Sequence, residues 1–152
     1  MGDSYHILVH GIPAPQGSKR HVGNGRMIES SKAVGPWREA VRAETQREMQ
    51  GNGIPPYPGP VYVQATFYLP RPKGHYGTGK NAGIVRPSAP RYVSGKPDLD
   101  KLARALLDGL TEGGAWQDDA QVVVLEVEKM YAGHAADIAD PARCRIVITE
   151  MD

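Results

Sequence analysis

The sequence lacks several features that are typical of secreted and membrane proteins. It has a single cysteine, Cys144, so no disulfide can form within the chain, and an intracellular protein with Cys144 as a buried structural thiol is expected. No stretch approaches the ~20 consecutive apolar residues that cross a bilayer. The first residues also lack the basic segment and apolar run of a signal peptide. These absences predict a soluble, cytoplasmic protein with no membrane partner.

A strong excess of one charge is missing as well, although the charges are unevenly distributed. The formal net charge is +1, whereas domains that bind nucleic acids usually carry a clear basic excess. Residues 1–96 have 13 basic and 5 acidic side chains, a net charge of +8, and residues 97–152 have 5 basic and 12 acidic ones, a net charge of −7. A basic half for phosphates and an acidic half for cations would suit a metal-dependent protein that acts on nucleic acid. Charges that cancel in three dimensions would give the same counts.

A chain of 152 residues has the length of a single domain, and we predict one domain that spans residues 1–152. Apolar residues at alternate positions predict strands, and apolar residues three and four apart predict helices. The predicted elements are strands at 5–10, 61–69, 122–131 and 144–149 and helices at 36–49 and 98–110. The first half of 122–131 is apolar on both faces, which predicts a strand at the centre of a sheet. We therefore predict an α/β (α+β) fold, a single two-layer domain with a mixed β-sheet and two main helices on one side.

Two segments rich in proline and glycine predict loops. The first follows the opening strand and contains Lys19 and Arg20. The second, 70–95, has six basic side chains when His75 is included and no acidic ones, and it is predicted to be a long mobile loop that either orders on a nucleic acid or stays disordered. Residues 74–80 match the glycines and lysine of a phosphate-binding loop, but Asn81 replaces the required Ser or Thr and no helix can follow. We therefore predict no nucleotide cofactor.

Two aspartates lie at the predicted start of the second helix. Pro97 ends an extended segment, which places Asp98 at the N-cap and Asp100 in the first turn. One interpretation is helix capping and compensation of the helix dipole. The other is a site for a cation, since carboxylate oxygens are the ligands that Mg²⁺ prefers.

A second acidic pair, Asp118 and Asp119, precedes the strand at 122–131 and follows Trp116. These residues are either exposed turn residues or partners of Asp98 and Asp100 at the ends of neighbouring elements. A group of converging aspartates repels itself unless a cation is present, so convergence would predict a metal site.

Arg104 lies four residues after Asp100 and four before Asp108, on one side of the predicted helix. Its guanidinium would be suited to stabilising charge on a phosphate in a transition state. A solvent-exposed ladder of ion pairs with the two aspartates is the alternative interpretation.

These residues belong to a longer pattern that resembles a known family. Its parts are Lys96-Pro97-Asp98-Leu99-Asp100-Lys101-Leu102, Arg104, Leu107-Asp108-Gly109-Leu110, Trp116-Gln117-Asp118-Asp119-Ala120-Gln121-Val122 and Lys129. Together they resemble the signature of the RusA family of Holliday-junction resolvases. Residues 11–15 and 71–79 are also similar to that family, so the resemblance spans most of the chain.

The resemblance implies a homodimeric, Mg²⁺-dependent endonuclease, with Mn²⁺ as a substitute, that nicks two strands of a four-way DNA junction symmetrically. The family's three catalytic aspartates correspond to Asp98, Asp100 and Asp119, and its usual catalytic lysine corresponds to Arg104. Lys129 matches a recurrent lysine of the family, although a strand-end residue with its ammonium group in solvent is the simpler interpretation.

Candidate phosphate contacts are the basic residues of the two loops and one beside the aspartates: Lys19, Arg20, Arg71, Lys73, Lys80 and Lys101. Two other functions stay open. One is a nuclease for other branched DNA, and the other is a junction-binding protein that has lost catalysis because arginine replaces lysine at position 104.

Overall fold

The computed structural model describes residues 2–17, 19–21, 27–29, 32–133 and 141–152, with only the backbone of 19–21 and 27–29. The strands are β1 Ser4–His10, β2 Lys19–His21, β3 Met27–Glu29, β4 Val61–Leu69, β5 Val122–Tyr131 and β6 Arg143–Glu150, and the helices are α1 Val34–Gly51 and α2 Leu99–Glu112. Every predicted element is present. The short β2–β3 pair was not predicted, and it places Lys19 and Arg20 on a strand instead of a loop. Their side chains lie outside the described part of the chain.

The four main strands form one mixed sheet in the order β1-β6-β4-β5, in which only the β4–β5 pairing is parallel. The inward faces of β4, β6 and β1 are buried and pack with α1 and α2 in a single core. Trp37 and Trp116 are both buried in that core, as predicted. The two-layer α+β fold is therefore confirmed. In the part of the chain that the structure describes, no helix is long and apolar enough to cross a membrane.

The predicted central position of β5 is wrong, because this strand lies at the edge of the sheet. The register with β4 shifts at its start, where Val61 pairs with Val122 and Tyr62 pairs with Val124. Val123 is thus an extra residue of a bulge, and its side chain is 57% exposed. The bulge interrupts the alternation of side chains between the two faces of the strand. The first half of β5 therefore has apolar residues at consecutive positions, a pattern that also predicts a strand buried on both faces.

The two helices pack closely against each other at two glycines, Gly109 within α2 and Gly113 at its C-cap. A Cβ on Gly109 would lie 2.8 Å from the Cβ of Val41 and 3.1 Å from the carbonyl oxygen of Arg38. A Cβ on Gly113 would lie 2.7 Å from the carbonyl oxygen of Arg42. The position of α2 on the sheet, and with it the position of the aspartates at its start, depends on this contact.

Candidate active site

The start of α2 presents two carboxylates that do not cap the helix. Asp98 is the N-cap residue, as predicted, but its side chain makes no capping hydrogen bond. Its two carboxylate oxygens each lie 3.8 Å from an ammonium group, one of Lys96 and one of Lys101. Asp100 lies in the first turn and is exposed. The capping interpretation of Asp98 is therefore not supported, and both carboxylates are accessible.

The second acidic pair divides into one structural and one accessible residue. Asp118 caps a 3-10 turn, Asp119–Gln121, by accepting a hydrogen bond from the backbone N–H of Ala120 at 2.9 Å. The turn interpretation therefore describes Asp118. The side chain of Asp119 takes no part in the capping box, and β5 begins three residues later.

Gln121 holds this acidic turn in place, a role that spacing in the sequence did not reveal. Its amide nitrogen donates to the carbonyl oxygens of Tyr57 and Gly59, each at 2.8 Å. Its amide oxygen accepts from the backbone N–H groups of Gln117 and Asp118 at 3.0 and 3.1 Å. The partners Tyr57 and Gly59 are more than sixty residues away in the chain, so a local pattern could not identify them.

An open groove of about 840 Å³ between α2 and β5 brings together most of the predicted catalytic residues. Asp100, Arg104 and Asp119 line it, and Asp98 does not. Its apolar walls come from both elements: Leu99, Ala103, Leu107, Leu125 and Val127. An open groove with apolar walls and charged side chains is a suitable place to hold a phosphodiester near carboxylates.

Arg104 has no ion-pair partner among the described residues and is exposed to the groove. The alternative interpretation, a ladder of ion pairs with Asp100 and Asp108, is not observed among the described residues, and Asp108 instead lies 3.9 Å from the guanidinium of Arg38 on α1. Arg38 also donates a hydrogen bond to the side chain of Gln16, which lines the same groove. The charge of Arg104 is thus available to a ligand in the groove.

The electrostatics at Asp119 fit a cation. Partial desolvation raises the pKa of the Asp119 carboxyl above its ordinary value, and the hydrogen bond and charge of Asp118 and the charge of Asp108 raise it further. A bound cation would relieve this repulsion. Among the described residues, no three carboxylate, histidine or cysteine side chains form a metal-binding group. Mg²⁺ needs only one or two carboxylates when water and phosphate complete its octahedron, so Asp100 and Asp119 fit such an ion.

The predicted phosphate contacts have different surroundings. Lys73 and Lys80 are exposed on the 70–95 loop, which contains two 3-10 turns. Arg71 is buried instead, with its guanidinium 4.2 Å from the centre of the Tyr131 ring and a 2.8 Å hydrogen bond to the carbonyl oxygen of Pro90. These contacts anchor the loop to the end of β5, which gives Arg71 a structural role. The mobility of the loop stays a prediction.

Comparisons with known proteins show which family the chain resembles. Residues 10–139 match the family model of endodeoxyribonuclease RusA. The uncharacterized protein YqaN of Bacillus subtilis (strain 168) is 28% identical over 136 residues, which cover 86% of this chain and 89% of that protein. The crossover junction endodeoxyribonuclease RusA of Escherichia coli (strain K12) is 44% identical over 54 residues, 36% of this chain and 40% of that protein. The protein of the same name from Enterobacteria phage 82 is 44% identical over 80 residues, 49% of this chain and 62% of that protein.

The aligned part spans less than two thirds of the two named nucleases. The family model, however, matches from residue 10 to residue 139, well over half of the chain. The chain therefore belongs to the RusA family of endodeoxyribonucleases.

Proposed function

We propose that this protein is a divalent-cation-dependent endonuclease that resolves four-way DNA junctions. The observation that carries the proposal is the groove between α2 and β5, in which Asp100, Asp119 and Arg104 lie together. Family membership supports the nuclease activity, and the names of the two matched nucleases refer to crossover junctions. DNA as the substrate agrees with the cytoplasmic location predicted from the sequence.

In the proposed mechanism the protein holds the cation and the scissile phosphate in one groove. Asp100 and Asp119, which line the groove, would hold the ion together with Asp98, the N-cap residue of α2. The chemistry that Mg²⁺ or Mn²⁺ would supply there is activation of a water molecule and stabilisation of the charge that develops on the phosphate. Arg104 faces the same phosphate with a positive charge. Arginine stays protonated at neutral pH, so Arg104 stabilises charge but does not act as a general acid.

Paired cleavage would require two such sites. A homodimer with two-fold symmetry matches the near two-fold symmetry of a four-way junction and places one groove on each of two opposing strands. Exposed lysines of the 70–95 loop, such as Lys73 and Lys80, are suited to contacts with the phosphates of the junction arms.

A cleavage assay on four DNA substrates tests the substrate class. We expect the purified protein to nick a four-way junction symmetrically in Mg²⁺ or Mn²⁺, and to leave a linear duplex intact. Preferential cleavage of a fork or a flap would indicate a nuclease for other branched DNA. Tight binding of the junction without cleavage in either ion would indicate a junction-binding protein.

The substitution Asp100→Asn tests the groove. It removes one carboxylate that would hold the ion, and we expect the cleavage rate to fall by on the order of a hundredfold or more. Asp3→Asn makes the same chemical change at an exposed residue outside the groove, and it should cleave as the parent does. Equal cleavage by Asp100→Asn and the parent would contradict the proposed site.

A further inference from the structure

Lys129, near the end of β5, has an unusual pair of partners. Its ammonium group donates hydrogen bonds to the carbonyl oxygen of Gly95 at 2.7 Å and to that of Pro97 at 2.8 Å. In the register with β4 it lies beside Phe67, which is fully buried, so it belongs to the face of the sheet that the helices cover. Lys129 is half-buried, and its ammonium group is directed at these two carbonyl oxygens.

The Lys129 hydrogen bonds fix the backbone directly before the first acidic pair. The carbonyl of Pro97 and the nitrogen of Asp98 belong to one planar peptide unit, so a bond to that carbonyl also orients Asp98. The carbonyl of Asp98 then accepts the hydrogen bond from Leu102 that begins α2. Asp98 makes no capping bond of its own, and its ion pairs with Lys96 and Lys101 are long, so the two hydrogen bonds of Lys129 add a short-range constraint on the backbone at the helix start.

The same strand also carries the second acidic motif. Asp119 lies in the turn that leads directly into β5, and Lys129 is in the last part of that strand. A ten-residue strand held along its length by β4 is a rigid connection between the two. Lys129 therefore connects the start of α2, which carries Asp98 and Asp100, to β5. The turn that contains Asp119 lies at the other end of β5.

We propose that Lys129 is a positioning residue that holds Asp98 and Asp100 in place for cation binding, an inference that rests on the proposed function. A direct contact with DNA is a weaker explanation, because an ammonium group has three hydrogens and two are directed at carbonyl oxygens of the chain. The positioning role requires no contact between Lys129 and the substrate.

The test compares Lys129→Met, which keeps the unbranched stem but loses the ammonium group, with Lys129→Arg, which keeps the charge. Lys32→Met, at an exposed lysine before α1, is the matched control. Three quantities are measured on the full chain: hydrogen exchange of the amides of residues 98–102 without divalent ions, the Kd for Mn²⁺ from its electron paramagnetic resonance signal, and the Kd for a four-way junction in EDTA.

We expect Lys129→Met to speed exchange at 98–102 and to weaken Mn²⁺ binding by about tenfold or more, the usual effect of losing a group that orients metal ligands. Its Kd for the junction in EDTA should equal that of Lys32→Met. Lys129→Arg should lie closer to the parent than to Lys129→Met in the first two measurements.

Two results would overturn the positioning role. One is unchanged exchange at 98–102 in Lys129→Met, whatever happens to its thermal stability. The other is an unchanged Kd for Mn²⁺ together with weaker junction binding in EDTA, which would make Lys129 a phosphate contact. If the parent itself binds no Mn²⁺, the proposed function fails, and the exchange measurement alone still decides whether Lys129 fixes the start of α2.

Discussion

Among single residues, Asp118 and Asp119 illustrate how the backbone separates two chemically identical neighbours. The carboxylate of Asp118 faces the amides of its own turn, where it caps Ala120. The carboxylate of Asp119 faces the groove and carries the raised pKa. The second lines the groove and the first stabilises the turn, so a substitution at each is expected to affect a different property, function of the groove or folding of the turn.

Cys144 permits a prediction about reactivity. Its side chain is completely buried in β6, and this burial raises the pKa of the thiol far above its usual range. Since the thiolate is the reactive form, the native protein should resist alkylation by iodoacetamide at pH 8. Unfolding in guanidinium should restore the reaction, which intact-mass spectrometry would follow. Rapid modification of the native protein would show that β6 opens readily or is packed differently.

The site residues that could be predicted from the sequence are those whose contacts are with nearby residues of the chain. Asp98 at the N-cap and Asp100 in the first turn follow from the adjacent proline and the helical spacing. The roles of Gln121 and Lys129 depend on carbonyl groups 32 to 64 residues away, which no spacing reveals. The burial of Arg71 likewise depends on Tyr131, far along the chain.

Between whole elements, the contact of α1 with α2 controls where the first acidic pair lies. Gly109 and Gly113 allow the helices to approach so closely that no side chain fits at either position. The sequence predicts both helices from their apolar spacing, but it does not predict which residues of one helix contact the other.

The substitution Gly109→Ala tests this contact. In an exposed helix, alanine would stabilise by about 1 kcal/mol relative to glycine. Here the new Cβ would meet Val41 at 2.8 Å, so we expect a loss of about 1–3 kcal/mol in the free energy of unfolding.

Urea denaturation would measure this change. Gly51→Ala, at a helical glycine with no atom within 4 Å of the added Cβ, is the control and should be neutral or stabilising. Equal stability of the two variants would mean that the helices separate without cost.

Strands were predicted well where their alternation is unbroken and poorly where it is not. Both ends of β4 and β5 agree with the apolar pattern. The place of β5 in the sheet was missed because the bulge at Val123 shifts the alternation within one strand. The β2–β3 pair has no such pattern, since three-residue strands are too short for alternation to be recognised.

Over the whole molecule the net charge is near zero, but the charges are divided between a groove lined by aspartates and a separate basic loop. A protein with this distribution would hold the DNA backbone at the loop and admit one phosphate to the groove. The affinity for DNA should then fall as the salt concentration rises, because the loop lysines contact phosphates. This dependence should not require the cation in the groove.

The double substitution Lys73→Ala, Lys80→Ala tests the loop. If each lysine neutralises one phosphate, the slope of log K against log salt should become less negative by about 2 units, with weaker junction binding at every concentration. Arg47→Ala removes a charge that is already paired with Glu44 and Glu48 on α1, and it should leave the slope unchanged. An unchanged slope in the double variant would place the phosphate contacts elsewhere.

The bulge at Val123 also affects the tendency of the protein to aggregate through its edge strand. An exposed edge strand with a regular row of N–H and C=O groups is a template on which strands of other molecules can align, the first step towards aggregation. In β5 the extra residue breaks that row near its start, and the exposed Glu126 and Glu128 place negative charges farther along it. The irregularity that obscured the position of β5 in the sequence therefore also disfavours uncontrolled pairing of this open edge with strands of other molecules.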